Sequence, residues 1–361
     1  MPASPVAANL APKRLAPTRT SRPSAALLTV LAAFALGGCA IGPERELVLL
    51  HAAFGTAREV VVEGRVVESR ADEGAEADVA DDSRTNLLRN AALFTADECD
   101  ECPVTLALDG LAPERTETDE EGYFRTRIEP EGAGMAGGWQ PLLVTSGSGE
   151  RRGEALVVPP GNRLGIVSDI DDTVLVTEVG DRFRMIGNTF FRNPLQREAV
   201  PGMAELYART LATNPVPAAA PLFYLSSSPR ELQDYLGGFL ERNDFPKGVL
   251  ITRRLTFDAI GYEQLDAVTY KTARLVDILE RLPDVRFVLV GDDGEHDPDV
   301  YAEIRRRYPE RIVAVWIRRA DPSSTLPLPE GQTELADVLD GTVPLPVAPD
   351  AVAPDTVASS P

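Results

Sequence analysis

Between Leu164 and Ile317 short apolar runs alternate with stretches of helical period, and this alternation constrains the fold more than any other feature of the 361-residue chain. Leu164 to Ser168, Leu222 to Leu225, Val249 to Thr252, Arg286 to Val290 and Ile312 to Ile317 are nearly continuous in apolar residues, as strands buried on both faces require. Between them Leu232, Tyr235, Leu236, Phe239 and Leu240 fall at i, i+3, i+4, i+7 and i+8, and Leu275, Ile278, Leu279 and Leu282 repeat the stripe. Such alternation predicts an α/β fold, a doubly wound parallel sheet. Three of the runs lead into residues with chemistry to offer: Asp169, Ser226 and, after Gly291, Asp292. The ends of parallel strands share one edge, where open α/β sheets hold their sites, so these residues are expected to converge.

The chain upstream has a different character. From Glu46 to about Pro159 it reads as short strands, at Glu59 to Val67, Val104 to Leu108, Gly122 to Ile128, Leu142 to Thr145 and Glu154 to Val158, broken by Gly, Asp and Pro. This predicts a small antiparallel β-sandwich over 39–160, with an acidic loop from Ser69 to Ser83 and no catalytic constellation, hence a spacer or docking domain. Thr118 to Phe124 looks like the hairpin turn of transthyretin-like or carboxypeptidase-regulatory sandwiches. The α/β domain is assigned 161–321. Past Asp321 the Pro- and Ala-rich sequence loses its period, so 322–361 is expected to be a disordered tail.

Charge and cysteines bear on location. The first 38 residues hold Lys13, Arg14, Arg19 and Arg22 and no acid, so removing them moves the formal net charge from −20 to −24. A surface that acidic repels nucleic acid and anionic membrane over most of its area, so an anionic ligand must be met by a basic cluster or a metal. The basic leader precedes an apolar run, Ala25 to Leu36, too short for a bilayer that needs about 20 residues, and reads as an export signal over 1–38. Leu36-Gly37-Gly38-Cys39 resembles the lipobox of bacterial lipoproteins, which implies lipidation of Cys39 and anchoring in the cell envelope. Ala40 favours the periplasmic face of the outer membrane where a cell has one. In an exported chain Cys99 and Cys102 are expected to form a small loop disulfide. His51 and His296, the only histidines, have no zinc-ligand spacing near them.

Lys271 joins the three strand-end residues as a fourth candidate. It lies in the first turn of a helix expected to begin near Thr269, where the macrodipole disfavours a cation and a bound phosphate would favour one. The set resembles the four motifs of the haloacid-dehalogenase superfamily. Ser168 to Thr173, Val200 to Met203, Tyr224 to Pro229, Phe245 to Gly248 and Gly291 to Tyr301 together resemble the catalytic domain of the actin-patch phosphatidate phosphatase family, over about Leu164 to Arg319. Asp293 departs from the family, where Ser is expected, and adds negative charge near the metal.

That resemblance implies an Mg²⁺-dependent phosphatase, acting on a phosphorylated lipid at a membrane. Mg²⁺ would be held by Asp169, Asp292 and the backbone carbonyl of Asp171 in an all-oxygen site, with Asp297 beside them. Asp169 would attack phosphorus, Asp171 would serve as general acid and base, Lys271 and Ser226 would hold the phosphoryl oxygens, and Thr173 would order the loop. A calcium loop is the other reading of an Asp-rich segment, but counting from Asp169 puts Val174 and Gly180 where an EF-hand needs Gly and Glu. Ser228 is read as a helix N-cap with Pro229 and Glu231 completing a capping box, leaving Ser227 as the second choice for phosphate contact. Asp297 before Pro298 is read as an N-cap as well as a metal residue. Asp172 is solvated or holds the loop. Arg182, Arg184 and Arg192, in a stretch resembling the superfamily's flap, either meet an anionic headgroup or form a solvated hairpin. The gaps from Thr173 to Ser226 and from Ser228 to Lys271 leave no room for a large lid, so an open site suited to a bulky substrate is expected. Phosphatases of soluble phosphomonoesters or nucleotides, and a non-catalytic metal-binding lipoprotein, are the alternatives.

Overall fold

Eight strands come first: β1 (Glu44–Thr56), β2 (Glu59–Arg70), β3 (Asp97–Glu98), β4 (Pro103–Leu108), β5 (Glu114–Glu117), β6 (Tyr123–Ile128), β7 (Gly138–Ser146) and β8 (Gly149–Val158). The computed structural model describes residues 44–70, 96–132, 134–174, 199–254, 267–294, 296–320, 323 and 326–349. Cys39 and the export signal, most of the acidic insertion, and Arg182, Arg184 and Arg192 lie outside them. The eight strands form one curled sheet in the order β3-β2-β1-β8-β7-β4-β5, with β6 paired to β2, rather than two separate sheets. Nor is it purely antiparallel, because β1 and β8 run parallel over Phe54–Thr56 and Leu156–Val158.

β1 escaped the alternation pattern for a physical reason. The register against β2 shifts between Leu50 and Ala52, a bulge at His51. Val48 and Ala53 face the first sheet's own core with Val60, Val62 and Leu106, while Ala52 and Phe54 join the core of the second sheet. A strand buried on both sides carries apolar residues throughout.

The second half alternates as expected: β9 (Leu164–Ser168), α1 (Met203–Leu211), β10 (Leu222–Pro229), α2 (Gln233–Arg242), β11 (Val249–Arg253), α3 (Ala267–Arg281), β12 (Arg286–Asp292), α4 (Asp297–Arg307), β13 (Ile312–Arg318), β14 (Thr333–Glu334) and α5 (Leu335–Leu339). The strand order is β11-β10-β9-β12-β13-β14, and every pairing is parallel. Val167, Phe223 and Leu289 pack with α3 and α4 on one face. Ile166, Tyr224 and Val290 pack with α1, α2 and α5 on the other. Successive side chains of a strand point to opposite faces, so covering both requires the unbroken apolar runs seen in the sequence.

Phe54 and Leu156 of the first sheet share the core beneath α3, with the Phe54 and Phe223 rings edge to face at 4.8 Å. Such a pair contributes about 0.5–1.5 kcal/mol beyond its buried area. Pro43–Pro361 is one compact unit. The expectation of a disordered tail fails for residues 326–349. There β14 adds to the parallel sheet, Leu335, Val338 and Ala348 are buried with Val343 and Leu345 packed beside them, and Leu328 packs on the other core; apart from the short helix these are spaced without a period. Among the described residues no helix is long and apolar enough to cross a membrane.

Candidate active site

The register of the parallel sheet sets which residues meet. Ser168, the last residue of β9, lies opposite Tyr224 of β10 on one side and Val290 of β12 on the other. The chain positions just beyond these pairs are Asp169, Ser226 and Asp292, which therefore leave the sheet at a single edge. The amide of Asp169 donates to the carbonyl of Val290 at 2.8 Å, and Tyr301 Oη donates to the same carbonyl at 3.1 Å. Behind the strand end Ser168 Oγ donates to the carbonyl of Asp169 at 2.6 Å and accepts from Tyr207 Oη at 2.6 Å. Burial holds the Tyr207 and Tyr301 phenols well above their ordinary range, so both remain neutral donors.

Three carboxylates and an amine then come together in the interior. Asp169, Asp292, Asp297 and Lys271 are at most 2% exposed. Lys271 Nζ lies 2.9 Å from Asp169 Oδ1 and 2.6 Å from Asp297 Oδ1. The helix bearing Lys271 begins at Ala267, so the residue sits beyond the first turn, and its charge is explained by these two acids. Carboxylate oxygens of Asp169, Asp292 and Asp297 all fall within 4.8 Å of one another. The amide of Gly294 donates to Asp292 Oδ1 at 2.6 Å and fixes that side chain.

These residues fit a divalent cation. Three hard oxygen donors at this spacing repel one another when ionised, and Lys271 supplies one positive charge; a divalent ion brings the group to neutrality. Gly291 makes the arrangement possible, because a Cβ there would overlap Asp297 Oδ2 and stand 2.7 Å from the Tyr301 ring. Gly291→Ala is accordingly expected to displace Asp297 and to weaken divalent-cation binding by about tenfold or more, ~1.4 kcal/mol. Calorimetric titration checks this, and equal affinities in the two proteins would remove Asp297 from the ion's surroundings.

Two side chains sit differently from the expectation. Asp297 is not an N-cap: α4 begins at Asp297 itself, after His296, and its carboxylate turns inward to Lys271. Ser228 is not an N-cap either. β10 runs on to Pro229, a 3₁₀ turn over Arg230–Leu232 intervenes, and α2 starts at Gln233. Ser228 Oγ instead donates to Asp171 Oδ2 at 3.1 Å, as does Ser226 Oγ at 3.1 Å, while the amide of Ser228 donates to Ser226 Oγ at 3.0 Å. A third consecutive serine at a strand end was the signal available, and the local capping pattern obscured it.

The rest of the loop is held by backbone. Thr173 N–H donates to Ile170 O at 3.3 Å and Val174 N–H to the same oxygen at 3.0 Å, closing a turn that buries Thr173. Asp172 takes the left-handed conformation, φ 55°, which Asp tolerates better than most residues, and Arg318 Nη1 donates to its carbonyl. Asp293 does not leave a charge facing the metal residues. It pairs with Arg319 at 3.0 Å and accepts the amide of Ala320 at 2.7 Å, tying the acidic loop to the end of β13. In the first sheet a disulfide joins Cys99 to Cys102.

Comparison with known proteins agrees with this constellation. The family model described as "Phosphatidate phosphatase APP1, catalytic domain" matches residues 164–319, the stretch that holds every strand-edge residue above. Phosphatidate phosphatase APP1 of Saccharomyces cerevisiae is 29% identical over 195 residues, covering 54% of this chain and 32% of that protein. An uncharacterized protein of Schizosaccharomyces pombe is 32% identical over 158 residues, covering 44% of this chain and 25% of its own length. The chain thus spans about a third or less of these curated relatives. Solved structures such as Ruminococcus gnavus beta-glucuronidase, with a TM-score of 0.24 and 10% identity over 82% of this chain and 47% of that one, carry no argument about the fold. Residues 164–319, with the ordered motifs they contain, are thus the part of the chain that is similar to the phosphatidate phosphatase APP1 catalytic domain.

Proposed function

We propose that the protein is a Mg²⁺-dependent phosphatase whose parallel sheet is a haloacid-dehalogenase-like, doubly wound domain, and whose substrate is phosphatidate or a closely similar lipid phosphomonoester. The observation that carries this reading is Lys271 Nζ at 2.9 Å from Asp169 Oδ1 within a cluster of three buried carboxylates. A structural ion pair needs one acid. Three acids about one amine suit an ion and a transferring anion.

Asp169, Asp292 and Asp297 are the residues that would hold Mg²⁺, which when bound offsets the repulsion between a carboxylate nucleophile and an anionic phosphoryl group. Asp169 then attacks phosphorus, forming an aspartyl-phosphate as the ester P–O bond breaks. Asp171, whose carboxylate sits between the nucleophile loop and the serines of β10, gives its proton to the departing alkoxide oxygen. It afterwards takes a proton from the water that hydrolyses the aspartyl-phosphate, so inorganic phosphate leaves and both acids are restored. Lys271 and Ser226 hold the phosphoryl oxygens as charge redistributes. Lipidation at Cys39 would anchor the enzyme in the cell envelope beside lipid substrates.

The test is a phosphate-release screen over phosphatidate vesicles, soluble alkyl and aryl phosphates and nucleotides, with Mg²⁺ and with chelator. Release from phosphatidate only with Mg²⁺ is the expected result. Release confined to soluble esters would keep the chemistry and replace the substrate. No release from any ester, together with no rise in melting temperature on adding Mg²⁺ and beryllium fluoride, would leave a non-catalytic binding protein.

A further inference from the structure

We propose that Ser228 is a positioning residue for Asp171, a role that rests on the phosphatase reading above and deepens it. Asp171 Oδ2 accepts hydroxyls from both Ser226 and Ser228, each at 3.1 Å. The two serines are linked in turn, since the Ser228 amide donates to Ser226 Oγ at 3.0 Å and thereby directs the Ser226 proton outward from the backbone. One carboxylate oxygen is thus held from two points on a neighbouring strand. An aspartate has only two side-chain torsions, so holding one oxygen fixes how the other is presented.

The duplication has a chemical sense. In the proposed reaction Ser226 contacts the phosphoryl group, and a hydroxyl has a single proton to give. When that proton turns to a phosphoryl oxygen, Ser226 no longer holds Asp171, whereas Ser228 keeps its contact throughout. Ser226 therefore serves the transferring group and Ser228 the acid beside it. The extension of β10 through Pro229 makes this possible, because it carries Ser228 along the sheet edge instead of releasing it into a helix cap.

Misplacement of an acid is felt most where the leaving group most needs a proton. An alkoxide leaves poorly without one, whereas p-nitrophenolate leaves readily. Ser228→Ala is expected to lower kcat on an alkyl ester (phosphatidate in vesicles, or glycerol 3-phosphate) about 10- to 100-fold, with KM changed less than about threefold. The ratio of alkyl to p-nitrophenyl phosphate turnover should fall about tenfold or more, and Ser228→Thr, which keeps the hydroxyl, should restore most of it. The rise in melting temperature with Mg²⁺ and beryllium fluoride should match that of the wild type, since the residues that bind them are untouched. An equal fall on both esters, no fall on either, or an unrescued Ser228→Thr would overturn the role of Ser228 while leaving the phosphatase intact. A wild-type protein that turns over neither ester would remove the phosphatase reading and this role together.

Discussion

Asp169→Asn is expected to reduce phosphate release by about 10⁴-fold or more, ~5.4 kcal/mol in activation free energy, while the protein stays folded. The amide is isosteric with the carboxylate but is not a nucleophile toward phosphorus, so the covalent step has no substitute. Folding survives because the substitution removes charge from a place that holds too much of one sign. Asp169 lies among two other buried carboxylates, and an amide oxygen can still accept from Lys271 Nζ, now 2.9 Å away. With chelator present the melting temperature of the variant should equal or exceed that of the wild type, because one like-charge repulsion is gone. With Mg²⁺ the order should reverse, since the variant has lost a charged ligand. Phosphate release and thermal unfolding, each followed with and without the ion, check all of this. Turnover at the wild-type rate would mean that the nucleophile lies elsewhere.

How much of this could be read beforehand depended on whether the physical cause was local. Asp169, Ser226 and Asp292 were legible because each follows a run of apolar residues that can only be a doubly buried strand, and parallel strands bring their ends to one edge. Ser228 and the capping half of the Asp297 reading go astray because Ser-Pro-Arg-Glu and Asp-Pro are good capping sequences taken alone, whereas the reading of Asp297 as a residue of the acidic cluster agrees with its place beside Asp169 and Asp292. Tertiary contacts overrode them: Ser228 stays in the strand and meets Asp171, and Asp297 turns inward to Lys271. The first sheet was read as a sandwich because its short strands alternate, while the one strand that joins it to the parallel sheet, β1, is buried on both faces and does not. The tail was lost to composition, since Pro and Ala hid the scattered apolar residues that dock it. No sequence rule pairs residues that lie hundreds of positions apart, and the strongest tie between the two sheets is of that kind.

That tie is Glu63, and its removal should cost much of the protein's stability. Glu63 sits on β2 and is 4% exposed. Arg274 binds it with both nitrogens, at 2.8 and 3.0 Å, Arg230 donates to it at 2.9 Å, and Arg125 lies at 3.4 Å. Arg230 follows Ser228 by two residues and Arg274 follows Lys271 by one helical turn, so a carboxylate from the first sheet grips the two stretches that carry the serines and the lysine. Burial alone would raise the Glu63 carboxyl, but Arg274 and then Arg230 and Arg125 outweigh it and bring it from 4.5 down to about 2. A carboxylate with a depressed value in the folded state stabilises fully above its unfolded value and loses that contribution as pH falls through the folded one. Here the window runs from pH 4.5 down to about 2, and a shift of that size corresponds to about 3 kcal/mol. Glu63→Gln leaves buried guanidinium groups around a neutral amide, at a cost of about 3–5 kcal/mol, a large share of the 5–15 kcal/mol that typically holds a domain together. Urea unfolding of the two proteins between pH 2 and 6 should show the wild type losing about 3 kcal/mol more than the variant across that window. Parallel profiles would show that ionised Glu63 does not join the sheets energetically. Because the same arginines flank Ser228 and Lys271, the variant should also lose phosphate release at temperatures where it is still folded, and the first sheet would then be part of the catalytic framework rather than a spacer.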